Sequence, residues 1–199
     1  MFALFLLCLN AYGQVGPTRN WVDSKGKYVD SNGNPVEFMN SLPKGGGVSY
    51  YGGKKYSYVI FWTRIRNLSA SPIELKLKFP DLTSFNPTES SQIKIVLPKD
   101  SMTFEKIQLF DYGLTHLESL LNNKSNQVIT LQKRINPQEE RYFYFPVFMY
   151  NNKWPVRATL ILKGQDLYYK ISLGSDTTWI PCGRLVFHRL VARGQRGGK

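Results

Sequence analysis

Cysteine, histidine and acidic residues are scarce in this chain. Its 199 residues hold two Cys and two His, and 14 Asp and Glu stand against 26 Lys and Arg. Removal of an N-terminal signal would take Cys8 and leave Cys182 alone, so no intramolecular disulfide is expected. Cys182 stands among apolar neighbours and reads as a buried, inert thiol. His116 and His188 are far apart, and no Cys-x-x-Cys or His-x-x-x-His spacing occurs, so no zinc site is expected. A Cys182–His188 nucleophile pair is disfavoured too, because six residues along one strand separate the two by about 20 Å. There is no Gly-x-Ser-x-Gly elbow and no Walker loop. Glu139-Glu140 reads as a strand lead-in whose side chains point to opposite faces, not as a catalytic carboxylate pair. Asp30-Ser31-Asn32-Gly33-Asn34 imitates the start of a calcium loop, but the distal Glu such a loop needs would fall at Ser41. These absences point to a protein that is not an enzyme and has no cofactor and no metal. No apolar run approaches the roughly 20 residues of a membrane-spanning helix, so no transmembrane segment is expected.

What the chain does have begins at its N-terminus. MFALFLLCLNAYGQ reads as an export signal: an apolar run from Met1 to Leu9, then Ala11 and Gly13 as the small residues ahead of a cut at Gln14. No Lys or Arg precedes the run; the alternative is a buried N-terminal strand. The expected boundaries are 1–14 signal peptide, 15–55 an N-terminal hairpin and Gly-rich loops packing on the rest, 56–188 the main domain, and 189–199 a basic, disordered tail. The expected address is therefore exported: periplasmic, cell-surface or secreted.

The aromatic content, 12 Tyr, 12 Phe and 4 Trp, favours strands. Lys27–Asp30 and Pro35–Phe38 flank an Asn32-Gly33 turn and read as a hairpin. Tyr56 to Asn67 reads as a long central strand, with Val59, Phe61 and Ile65 on one face and Tyr58, Ile60 and Trp62 on the other. Ile73, Leu75, Leu77 and Phe79 alternate with Glu74, Lys76 and Lys78, the period of a half-buried antiparallel strand. Further strands are expected at 92–97, 102–109, 127–135, 141–149, 156–163, 167–173 and 178–187. Leu114, Leu117 and Leu121, with a Thr115/Glu118 capping box, predict one short helix near 112–122. The expected fold is all-β, an antiparallel β-sandwich, with a barrel as the alternative.

The Tyr56–Phe79 hairpin, with its strand ending in Asn67 before a Ser/Pro turn, resembles immunoglobulin-like and fibronectin-III-like modules. So does Asn136-Pro137-Gln138-Glu139-Glu140-Arg141-Tyr142-Phe143-Tyr144. Through its Leu42-Pro43-Lys44-Gly45-Gly46-Gly47 loop and its Ile180-Pro181-Cys182-Gly183 stretch, the chain resembles exported proteins of Gram-negative bacteria. The resemblance implies an Ig-like fold and an address. It implies no activity, and no site residue follows from it.

Candidate binding residues come from the aromatics and the charge. Tyr150, Asn152 and Trp154 share one expected hairpin tip, where flat rings and amides suit sugar rings. Trp62, Arg64 and Arg66 share one strand face, where Arg stacking on Trp is either structural or a surface for an anionic polymer. Net charge is +12, and Arg184, Arg189, Arg193, Arg196 and Lys199 lie beyond the last acid. Outside the cytoplasm such charge favours polysaccharides, anionic headgroups or other polyanions. The expected function is an interaction or structural module of the cell envelope with a protein or glycan partner. The alternatives are a glycan-binding module using exposed aromatics and a salt-sensitive binder of anionic polymers. No specific nucleic-acid partner is expected. Oligomeric state does not follow from the sequence.

Overall fold

In the computed structural model the described residues are 20–81, 83–84, 92–150 and 156–188. The expected signal, the basic tail, Asn152 and Trp154 therefore lie outside them. The strands, in chain order, are β1 (Val22–Val29), β2 (Pro35–Ser41), β3 (Lys44–Tyr51), β4 (Lys54–Asn67), β5 (Ile73–Leu77), β6 (Thr83–Ser84), β7 (Gln92–Ile95), β8 (Leu131–Ile135), β9 (Glu140–Tyr150), β10 (Val156–Lys163), β11 (Asp166–Leu173) and β12 (Asp176–Phe187). One short helix, α1 (Leu117–Leu120), lies between β7 and β8.

The strands form two antiparallel sheets, an all-β sandwich. The larger runs β1-β2-β4-β9-β7-β6, with β3 also on β4; the smaller runs β10-β11-β12-β5-β8. β2 and β3 lie end to end along one edge of β4, so the N-terminal hairpin is part of the larger sheet. The turn at Asp30 joins β1 to β2, and its carboxylate accepts from the backbone N–H of Asn32 (2.9 Å) and of Asn34 (2.7 Å). Both bonds go to Oδ1, and Oδ2 accepts from the side-chain amides of Asn32 (3.4 Å) and Asn34 (3.0 Å), so the carboxylate closes the turn on itself.

The inner faces meet in one core. Val59, Phe61 and Ile65 of β4 and Phe143, Phe145 and Val147 of β9 pack on Leu75, Leu160, Tyr169, Ile171 and Cys182 of the smaller sheet. One flank of the sandwich is stitched by Asn40, which is 3% exposed. Its Oδ1 accepts from Thr63 Oγ1 (2.8 Å) and from the N–H of Leu160 (3.0 Å) on edge strand β10. A buried polar group needs such partners, and an edge strand has N–H groups to offer. Asn67 does the same at the β4–β5 corner: its side chain donates to the carbonyls of Ser71 (2.8 Å) and Ile135 (3.1 Å). Asn67 is fully buried, and these bonds satisfy its amide.

A second core covers the outer face of the larger sheet. Tyr58, Ile60 and Trp62 of β4, with Tyr144 and Phe148 of β9, pack under Tyr112, Leu114, Leu117, Leu120 and Leu121. The covering chain departs from the sequence expectations in two places. The strand expected at 102–109 is a single bridge at Met102, opposite Tyr142, followed by a 3-10 turn from Phe104 to Gln108. The helix expected at 112–122 shrinks to one turn, because Asp111, Tyr112 and Gly113 take left-handed backbone angles (φ 47, 54 and 68) and His116 does so again. His116, not Thr115, precedes the helix, and no side chain caps it. Left-handed non-glycine residues cost on the order of 1–2 kcal/mol each and persist where the surroundings fix them. Here Tyr112 is fully buried; its hydroxyl donates to the Leu42 carbonyl (2.6 Å), and its own carbonyl accepts from Tyr144 Oη (2.5 Å). Lys44 pins the same segment from β3, its Nζ donating to the carbonyls of Ile107 and Leu109 (2.7 Å each) between the Trp21 and Tyr112 rings.

Candidate functional site

Trp62, a candidate binding residue on a face read as either structural or a surface for an anionic polymer, is 1% exposed beneath the covering segment. Its ring neighbours are Tyr112 (6.3 Å) and Tyr142 (5.7 Å), so no ligand stacks on it from solvent. Arg64 is held by carboxylates, not by the indole: it pairs with Glu37 and, through Nη1, with Glu140 (3.2 Å). Lys25 reaches the second Glu37 oxygen at 2.9 Å. Burial works to raise the Glu37 pKa, but Lys25 and Arg64 outweigh it and hold the carboxyl below its usual range. Arg66 is half-buried in register with Glu37 on one side and Glu140 on the other. Tyr150 is half-buried against Tyr56 (5.6 Å), with Lys54 Nζ 4.8 Å from its ring. Tyr150 thus joins the edge of the second core, Arg64 belongs to a charge network between strands, and Arg66 stands in register beside that network.

The exposed counterpart is the outer face of the smaller sheet. Along β10, β11 and β12 the inward phase is apolar: Ala158, Leu160 and Leu162, then Leu167, Tyr169 and Ile171, then Ile180 and Cys182. The alternate residues point outward, because side chains alternate along a strand. Pairing sets them in rows: Arg157–Ser172–Thr177, Thr159–Lys170–Trp179 and Ile161–Tyr168–Pro181. The next row runs across four strands, Lys163–Asp166–Arg184–Lys76, and beside it stands Glu74–Arg134. Cationic side chains dominate: Arg157, Lys163, Lys170, Arg184, Lys76 and Arg134, against Asp166 and Glu74. Asp166 pairs with Arg184 (3.2 Å), and Glu74 with His188 (3.0 Å).

Trp179 lies at the centre of this face and is 41% exposed. Tyr168 meets it edge-on at 6.3 Å. Lys163 Nζ sits 3.9 Å over the indole and 5.7 Å from the Tyr168 ring, and Lys170 Nζ lies 5.8 Å from the indole. Ser172 and Thr177 share a hydroxyl hydrogen bond (2.9 Å) one row away. The bulge at Cys182–Gly183 sets this geometry. Gly183 has φ 148, and a Cβ there would lie 1.9 Å from the Lys76 carbonyl oxygen, so only glycine lets β12 run this close to β5. Trp179 is absent from the candidates the sequence yields, although the strand expected at 178–187 contains it; strand phase alone does not say that its outward side is open.

Two other features bear on chemistry. Cys182 is fully buried, and burial pushes its thiol up to about 12, so it is neither exposed nor ionised near neutral pH. On the flank away from Asn40, a groove of about 710 Å³ opens between β8, β9 and the 97–105 segment. Lys133, in the inward phase of edge strand β8, is exposed there, a placement that blunts an open edge. Lys99, Lys133, Arg134 and Arg141 share the groove with Asp100, Glu105 and Glu140, so cations and carboxylates are mixed there with only one positive charge in excess. Among the described residues no group of three or more His, Cys, Asp or Glu is placed to hold a metal ion, and no helix is long and apolar enough to cross a membrane. No protein-family model matches the chain, and no curated protein matches it.

Proposed function

We propose that this chain is a non-enzymatic interaction module that works outside the cytoplasm, in or near the cell envelope, and that its sandwich is of the immunoglobulin-like kind. The N-terminal apolar run supports the address, and the Tyr56–Phe79 hairpin supports the module type. One observation carries the interaction reading: a second core covers β4 and β9 on the outer face of the larger sheet, whereas the smaller sheet leaves a cationic, aromatic-centred face open to solvent. A strongly basic face attracts polyanions, and this attraction weakens with salt.

The test separates the face from the net charge. Lys163→Glu/Lys170→Glu and Lys27→Glu/Lys55→Glu change the net charge equally, but only the first pair lies on the open face. Retention on immobilised heparin is expected to fall sharply for the first double variant and little for the second. Equal losses would reduce the interaction to net charge and remove the module reading.

A further inference from the structure

We infer that the open face holds a subsite for an acidic polysaccharide, in which Trp179 stacks on a pyranose ring and Lys163 and Lys170 pair with the carboxylates beside it. This rests on the interaction reading above and adds the ligand class. Three observations carry it. An indole 41% exposed at the centre of a sheet face, with its partner Tyr168 edge-on, is a platform for a flat ring. The ammonium now nearest it, Lys163 Nζ at 3.9 Å, is on a flexible stem and already spans both rings, so an entering sugar takes its place over the indole and leaves the charge beside the ring. The neighbours Thr159 and Ser172 and the Asp166 carboxylate offer the mixed donors and acceptors that sugar hydroxyls need. A bare phosphate polymer uses the cations but neither the ring nor the hydroxyls, and a neutral glucan uses the ring but not the cations.

Binding of the full chain to alginate, polyphosphate, dextran and single-stranded DNA of matched length, at fixed salt, tests this. Alginate is expected to bind most tightly. Trp179→Ala is expected to weaken alginate about tenfold or more and polyphosphate hardly at all, because stacking on an aromatic ring is worth that much. Trp179→Phe is expected to restore part of the loss, and Lys163→Gln to weaken alginate several-fold. Thermal melting identical to the parent's shows that the variants fold; an unfolded Trp179→Ala is replaced by the comparison of parent and Trp179→Phe. Polyphosphate binding equal to alginate's and indifferent to Trp179 overturns the subsite and leaves the interaction reading standing. So does tighter, Trp179-dependent binding of dextran or of single-stranded DNA. Failure of every polyanion to bind overturns both.

Discussion

The two sheets treat their outer faces differently, and two tryptophans show how. Trp62 and Trp179 each stand in a strand between a threonine and an apolar residue, and both point away from the space between the sheets. Over Trp62 the chain lays the 98–127 segment, fixed by three successive left-handed residues and by Lys44 on the Ile107 and Leu109 carbonyls. Over Trp179 lies the ammonium of Lys163. The covered face acquires a core; the open one keeps an aromatic ring, hydroxyls and unequal charge within reach of solvent. Burial of a large ring stabilises the fold, and exposure of a similar ring leaves it for a ligand.

Substitution of the two tryptophans is the sharpest way to break this contrast. Trp62→Ala empties a buried, ring-lined site and is expected to cost about 3–5 kcal/mol in chemical denaturation. Trp179→Ala removes a ring from solvent and is expected to cost under about 1 kcal/mol. Comparable costs would mean that the two faces are equally structural.

The shared inner core gives an effect on the same scale through pH. The Cys182 thiol, raised by burial from 9.0 to about 12, stays protonated in the folded protein while the unfolded chain ionises. Its contribution is complete below pH 9 and is lost as pH climbs from about 9 to about 12, on the order of 4 kcal/mol across that window. Burial drives Tyr169 beside it in the same direction. Denaturation midpoints are expected to fall steeply above pH 9, and less steeply in Cys182→Ala. A flat profile to pH 11 would contradict the burial of both groups.

The covering segment supplies the smallest effect. Lys44→Met keeps the aliphatic stem but removes the donor to two carbonyls, and hydrogen bonds from a charged group imply about 2 kcal/mol. Loosening is expected first at 104–113, read by hydrogen exchange there with the sandwich strands unchanged. Uniform loosening would mean that the cover and the sheet unfold as one unit.

The sandwich was legible because most of its strands obey a period of two; β5, β10 and β11 alternate between buried and more exposed residues, and β4 stands out as apolar on both faces. The two apolar faces of β4 even announced a cover on each side. The cover itself was not legible. Alternation across Met102 and Phe104 resembles a strand, yet Met102 is buried and Phe104 is 67% exposed at a 3-10 turn. Tyr112 owes its left-handed backbone to contacts with Leu42 and Tyr144, distant in sequence, which no local pattern carries. Periodicity gives the phase of a strand residue but not which segment lies over it, so the sequence leaves the Trp62 face open between a structural and a binding role and does not distinguish the exposure of Trp179.

Lysine acetylation of the full chain with and without alginate tests the central contrast most directly. Protection of Lys76, Lys163 and Lys170, with Lys27, Lys55 and Lys106 reacting as before, is the predicted result. Uniform protection of all six, or protection confined to the covered side, would contradict it.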